Sequence, residues 1–369
     1  MNLLKAVPQR RYPARAIIGM RVFKYHALGN SYLIVDPADL PPDNLLDIVR
    51  TERYGVEEEA VLSPWFIVGL GKETWGIGSN GVLFGPFTGP DGGDGEIEFQ
   101  IYNTDGSRAE VSGNGLRIFS KFLFDAGYLS YSQNLQFPLT VATPVKADGV
   151  LHLHRKRNEV MIIDPTVPLF AVDIGKPRFG PQEVLALAYT KSDPDPNRRC
   201  TVQDLVEVGR RCGMDWSDST FVSLGNPHCV TFVENPAHFP DIQFKEPLKA
   251  IAYRSPEGNG QTFAEGCNLQ WAYVKDRTII DLRIFERGEG PTEASGSSAS
   301  AATAAAFYRG LIERLVTVQM PGGGLKVELK GTGEGIESVI IRGSATRIME
   351  AQIDLLDFGY TAKARYTKA

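Results

Sequence analysis

The chain has 369 residues, 43% hydrophobic and 22% charged, which is an ordinary globular composition long enough for two cored domains. A formal charge of -5 argues against the basic face that nucleic acid requires, and no apolar run approaches bilayer length, so neither a nucleic-acid nor a membrane partner is expected. Cys200, Cys212, Cys229 and Cys267 show neither CxxC nor CxxH spacing, so reduced thiols in a cytoplasmic protein are expected, without a disulfide framework or a metal site.

Residues 1–20 carry Lys5, Arg10, Arg11 and Arg15 but no acid, and lack the apolar core of a secretory signal; a targeting peptide and an upstream extension before a start at Met20 are both open readings, and the segment is placed outside the fold. Arg21–His26 alternates as a first strand, the Gly29-Asn30 turn follows, and Tyr32–Asp36 reads as a second strand. A Gly-rich acidic loop at Gly89–Gly95 precedes a strongly alternating strand, Glu96–Tyr102. From Asn114 to Asp125, Leu116, Phe119, Phe122 and Leu123 recur at helical spacing, and Gly127 supplies a stop.

The second half repeats this grammar. Thr278–Phe285 reads as a strand, Ser298–Tyr308 as an Ala-rich helix ended by Gly310. Short strands follow at Val316–Met320, Leu325–Leu329, Ser338–Ile341 and Ile348–Ile353. The fold class expected is α+β: two pseudo-symmetric lobes, each a mostly antiparallel sheet wrapped around a central helix. The lobes are placed at residues 21–170 and 171–369, with the boundary near Pro165–Gly180 and a Pro- and Asp-rich surface loop at Ser192–Arg199.

The most telling repeat is Glu110-Val-Ser112-Gly113 and Glu293-Ala-Ser295-Gly296. The two serines stand 183 positions apart, about half the chain, each following a strand and opening a helix. A helix N-terminus offers unpaired N–H groups and the positive end of the dipole, so each is a potential anion site. Two such ends converging on one carboxylate would stabilise the charge that develops when a neighbouring α-proton leaves.

These segments, with Phe23–Asn30, Gly76–Phe84, Tyr102–Ser107, Gly225-Asn-Pro-His228 and Glu286-Arg-Gly288, resemble diaminopimelate epimerase and its wider superfamily of proline racemases and phenazine-biosynthesis isomerases over roughly residues 21–352. The resemblance implies racemisation or epimerisation at an amino-acid α-carbon without pyridoxal, metal or other cofactor, by two thiols facing opposite sides of that carbon. It implies that Asn30, Asn103, Asn226, Asn268, Glu286 and Arg287 hold the ligand, that the amides of Gly113-Asn114 and Gly296-Ser297 grip its α-carboxylate, and that a homodimer is the expected assembly. The partner expected is a small amino acid or related carboxylate.

The sequence departs from this pattern where the chemistry is. Ser112 and Ser295 stand where the family carries cysteines. A thiol titrates near ~8.5 and a hydroxyl nearer the ~15.7 of water, so forming the base costs on the order of 10 kcal/mol more. Three readings follow: deliberate Cys→Ser exchange in an epimerase, a divergent member with other acid–base groups, or a binding protein that has lost the chemistry. A dehydratase or lyase would share α-proton removal. Glu293, His228 and His26 are the candidate bases, set against bland readings as a first-turn acid, a loop residue and a packed strand residue; the serines are also good helix caps. Asn80, where the family has aspartate, and an insertion between Tyr54 and Gly76 favour divergence.

Overall fold

The computed structural model describes residues 19–40, 49–54, 57–88, 97–109, 111–131, 136–147, 150–164, 169–192, 195, 198–211, 213–241, 244–355 and 357–358. The extension up to residue 18, the loop at 89–95, Glu110, Cys212 and parts of the 165–180 and 192–199 segments lie outside the described residues. Among the described residues no helix is long and apolar enough to cross a membrane.

The first half runs β1 (Gly19–Ala27), β2 (Asn30–Val35), β3 (Val49–Tyr54), β4 (Glu57–Leu62), α1 (Pro64–Gly71), β5 (Val82–Thr88) and β6 (Ile97–Tyr102). It continues through α2 (Gly113–Asp125), β7 (Gln136–Ala147), β8 (Val150–Asp164), β9 (Leu169–Gly175) and β10 (Arg178–Phe179). The second half runs β11 (Thr190–Lys191), β12 (Cys200–Thr201), α3 (Gln203–Arg210), β13 (Ser219–Ser223), β14 (Pro227–Phe232), α4 (Lys245–Ala252), β15 (Asn268–Asp276) and β16 (Ile279–Glu286). It closes with β17 (Gly290–Pro291), α5 (Gly296–Tyr308), β18 (Leu315–Met320), β19 (Gly323–Lys330), β20 (Ser338–Ser344) and β21 (Thr346–Asp354).

The halves share one pairing order. In the first, β1–β2 is antiparallel, β2–β5 parallel, β5–β6 antiparallel, β6–β7 parallel, and β7–β8 and β8–β9 antiparallel. The same alternation recurs through β13–β14, β14–β15, β15–β16, β16–β18, β18–β19 and β19–β20. Equivalent strands β9 and β20 pair with each other and join the two sheets. The chain then exchanges strands: β10 pairs with β13, and β21, the last strand, returns to β1. This exchange explains a correction at the N-terminus. Gly19 and Met20, read as outside the fold, belong to β1, and Met20 is fully buried opposite Ile353 of β21.

Each sheet wraps a helix, as expected for this α+β class. Helix α2 packs against β1, β2, β5 and β9, and α5 against β13–β16 and β18–β20. The Ala-rich sequence of α5 suits this position, since small side chains let the backbone sit deep in the sheet; Ala299, Ala301, Ala302 and Ala304–Ala306 are fully buried. The aromatic side of α2 fills its own lobe, with Phe119 stacked on Phe99 at 4.2 Å between ring centroids.

The sequence insertion after Tyr54 contains β4 and α1. Strand alternation sends Tyr32 and Ile34 inward and Leu33 and Val35 outward, and the outward set packs with Phe66, Ile67 and Leu70 of α1 in a separate apolar cluster. Helix α1 also buttresses the loop after β6: a methyl group added at Gly106 would lie 3.0 Å from Pro64, and one at Gly71 would lie 3.3 Å from Thr104.

Candidate functional site

Both helix starts are built by the same local chemistry. Ser112 (φ -140, ψ 115) and Ser295 (φ -141, ψ 126) are extended N-cap residues. Their hydroxyls accept from the amides of Gly115 at 3.0 Å and Ser298 at 3.3 Å. Those bonds leave the amides of Gly113, Asn114, Gly296 and Ser297, which by helix geometry have no intrahelical acceptor.

The two ends abut. A methyl group at Gly296 would lie 3.2 Å from the Gly113 Cα and 3.0 Å from Ile341 Cδ1; one at Gly113 would lie 2.6 Å from the same Ile341 atom. Only glycine allows the backbones this approach. The Asn114 side chain then ties one end to the other, donating to the Ala294 carbonyl at 3.2 Å. Gly296→Ala should therefore destabilise the protein by about 1–3 kcal/mol through overpacking, more than the ~1 kcal/mol of helix propensity it gains. Denaturant unfolding would register this as a lower midpoint at unchanged slope.

The paired ends form the floor of a cleft of about 520 Å³, within the range of small-ligand sites. Asn30, Asn103, Asn226 and Asn268 all line it, as do Glu286 and Arg287. Asn30 Oδ1 is buried and has no hydrogen-bond partner among the described residues, although the side chain is only 8% exposed. Asn226 Nδ2 reaches the Ser297 hydroxyl at 3.4 Å, and Asn268 Oδ1 accepts from the Arg287 amide at 2.9 Å. Asn103 donates to Ser107 at 2.9 Å.

None of the three candidate bases, His228, Glu293 and His26, is among the residues that line the cleft. His228 is fully buried behind Asn226: its Nε2 lies 2.9 Å from Asn226 Oδ1 and its Nδ1 accepts from Gln270 Nε2 at 3.1 Å. Burial, and secondarily the charge of Arg287, lowers its pKa to about 3, so it is a neutral ring that orients Asn226. Glu293 is exposed on the other side of the approach to α5; its carbonyl accepts from the Gly322 amide at 2.9 Å, and its side chain lies against the Gly29 turn. His26, also outside the lining, accepts from the Gly29 amide at 3.2 Å through Nδ1. Asn80 joins two distant segments, its side chain accepting from the Ser31 amide at 3.0 Å and its own amide donating to the Ser31 carbonyl at 2.9 Å.

The titratable groups that do reach the floor are others. Glu286 stands beside Ser295 with its pKa raised by burial, against the opposing influence of the Ser295 and Thr292 hydroxyls; Thr292 Oγ1 lies 3.4 Å from Glu286 Oε2. At the other helix start, Tyr32 Oη lies 3.1 Å from Ser112 Oγ, and burial drives its phenol well above the ordinary range, keeping it protonated. Tyr32 follows Asn30 by two positions on β2 and so shares its inward face, a signal present in the sequence.

Glu289 spans the cleft to accept from Thr104 Oγ1 at 3.0 Å. Its carboxyl is pushed up to about 7, by desolvation first and by the charges of Glu286 and Asp105, against the Thr104 bond. A carboxyl raised in the folded state contributes its full stability below its ordinary pKa of ~4.3 and loses it as pH climbs through about 7. The melting temperature of the native chain relative to Glu289→Gln should accordingly fall between pH 4 and pH 8. A difference that stays constant with pH would contradict the assignment.

The family profile described as diaminopimelate epimerase matches residues 220–348. The chain is 31% identical over 318 residues to diaminopimelate epimerase 2 of Nostoc sp., covering 84% of this chain and 89% of that protein. It is 31% identical over 311 residues to diaminopimelate epimerase of Desulfitobacterium hafniense, covering 84% and 90%. In three dimensions it is similar to a hydroxyproline epimerase from Agrobacterium vitis with bound trans-4-OH-L-proline (TM-score 0.55, 13% identity, 94% and 96% covered). A phenazine biosynthesis protein of the PhzF family from Bacillus anthracis is similar at TM-score 0.54 and 14% identity, covering 91% and 99%. At these identities the structures speak for the fold alone.

Proposed function

Because the chain belongs to the diaminopimelate epimerase family and is an isomerase of the racemase and epimerase type, we propose that it binds a small amino acid or related carboxylate in this cleft and exchanges the proton at its α-carbon without thiols. The observation that carries the reading is the abutment of two capped helix starts at Gly113 and Gly296, which brings four first-turn residues, Gly113, Asn114, Gly296 and Ser297, to the lining of one cleft. A carboxylate held there gains stabilisation as α-deprotonation turns it into an enediolate.

Glu286 takes the place of the base. It lies at the α5 end, and a raised pKa makes it a stronger base once ionised. From the α2 end, Ser112 and the protonated Tyr32 relay a solvent proton to the carbanion, each hydroxyl receiving one proton as it passes one on, so that neither is left ionised. Glu286 gains the α-proton and releases it to solvent, which balances the proton the relay delivers. Asn30, Asn226 and Asn268 orient the ligand. A diaminoacid such as diaminopimelate, named by the relatives, is the first ligand to test.

The test is α-deuterium incorporation into diaminopimelate and single amino acids in deuterated water, with binding measured alongside. Binding without deuterium would leave a silent binding protein and sink the isomerase reading for those ligands; binding of none of them would sink the ligand class.

A further inference from the structure

Arg117 is among the largest fully buried side chains of the protein, at 0% exposure. It sits on α2 one turn beyond Asn114, and its Nη2 donates to Asn114 Oδ1 at 2.5 Å. Its Nε and Nη1 have no partner among the described residues. No carboxylate among the described residues offsets it: burial is the influence that lowers its pKa, to about 10, so the guanidinium is charged at neutral pH. The backbone of β20 presses on it, since a methyl group added at Gly343 would lie 2.4 Å from Nη1. A buried, uncompensated cation is costly to folding, and such groups are ordinarily paired.

Its position says what it faces. The side-chain bond runs from Arg117 to Asn114, and Asn114 in turn donates to Ala294, the residue before the Ser295 cap. The guanidinium therefore lies directly behind both helix starts, one residue removed from the cleft floor, where its positive field adds to the two dipoles.

We propose that Arg117 is a positioning residue whose counter-charge is the carboxylate of the bound ligand, so that the protein carries an unpaired buried cation when empty and offsets it on binding. This rests on the carboxylate reading of the cleft. Asn114 is the element that transmits it, holding the guanidinium on one side and the α5 start on the other. The charge also favours the enediolate over the ground-state carboxylate, because negative charge grows at that end as the α-proton leaves.

The experiment compares the native chain, Arg117→Met and Arg117→Lys without ligand by thermal unfolding, and with diaminopimelate by calorimetry. Arg117→Met should melt at a higher temperature than the native chain, as replacement of buried charge by apolar volume often stabilises, and should bind diaminopimelate at least about tenfold more weakly. Arg117→Lys, which keeps the charge, should recover most of that affinity. A structural strut would give the opposite pattern: a lower melting temperature for Arg117→Met, unchanged affinity, or no rescue by lysine, and any of these overturns the proposal. The unfolding arm needs no ligand, so a native chain that fails to bind diaminopimelate would refute the ligand reading while this arm still decides whether Arg117 is an unpaired charge.

Discussion

Converting Ser112 and Ser295 together to cysteine is expected to speed α-proton exchange on the order of 10³-fold or more and to make it sensitive to thiol alkylation. The magnitude follows from two opposing quantities. A hydroxyl is harder to ionise than a thiol by on the order of 10 kcal/mol, and the helix start that each serine caps would lower a thiol further. A positioned carboxylate such as Glu286 recovers roughly 10²–10⁴-fold of that, about 3–5 kcal/mol. Several kcal/mol remain for the thiols to supply. Alkylation sensitivity is read against the native chain treated in the same way; among the described residues Cys200, Cys229 and Cys267 are buried with raised pKa values, and no described cysteine lines the cleft. Exchange that neither rises nor becomes alkylation-sensitive in S112C/S295C would mean that the α-carbon does not lie between the two helix starts.

The second large effect is expected at Glu286. Glu286→Gln keeps the size and hydrogen-bonding capacity of the side chain and removes the base, so exchange should fall roughly 10²–10⁴-fold. Ligand affinity should change far less, which separates a lost proton acceptor from a damaged cleft. The companion variant Glu293→Gln should leave exchange within about twofold, as expected for an exposed carboxylate outside the lining. Equal losses in the two variants would contradict the assignment of Glu286. A pH profile adds a further check: exchange in the native chain should rise with pH as the raised carboxyl of Glu286 ionises, and that limb should vanish in Glu286→Gln.

These expectations also separate the readings left open by the serines. A protein that has only retained a pocket binds ligand in every variant but exchanges nothing until thiols are introduced. An epimerase disabled solely by two Cys→Ser changes regains diaminopimelate epimerisation in S112C/S295C but shows no Glu286-dependent exchange before it. A divergent isomerase shows Glu286-dependent exchange first. The asymmetry of the cleft supports the last: a half-buried carboxylate of raised pKa beside Ser295 and a protonated phenol on Ser112 give the two helix starts different proton chemistry.

The sequence by itself determined those features whose causes lie within a few residues. Ser112-Gly-Asn and Ser295-Gly-Ser define the two helix starts, because a cap hydroxyl bonds an amide three positions on. Gly127 and Gly310 end the helices with φ of 81 and 74, values glycine adopts freely. Strand alternation marked β1, β2, β6 and β16, and the half-chain repeat anticipated two equivalent lobes. The residues that the motifs carry, from Asn30 to Ser297, line one cavity.

Tertiary structure alone decided the rest, because those features depend on which distant strand pairs with which. The exchange of β10 and β21 between sheets buried Met20, a residue whose neighbours in sequence give no sign of it. Pairing of β14 with β15 put Gln270 beside His228 and turned a candidate base into a support for Asn226. The packing of Gly322 against the approach to α5 left Glu293 outside, while Glu289 met Thr104 from 185 positions away. Arg117 shows the limit most sharply. Helical spacing placed it one turn behind Asn114, but whether that arginine met solvent, a carboxylate or nothing depended on β20 closing over it from the other half of the chain.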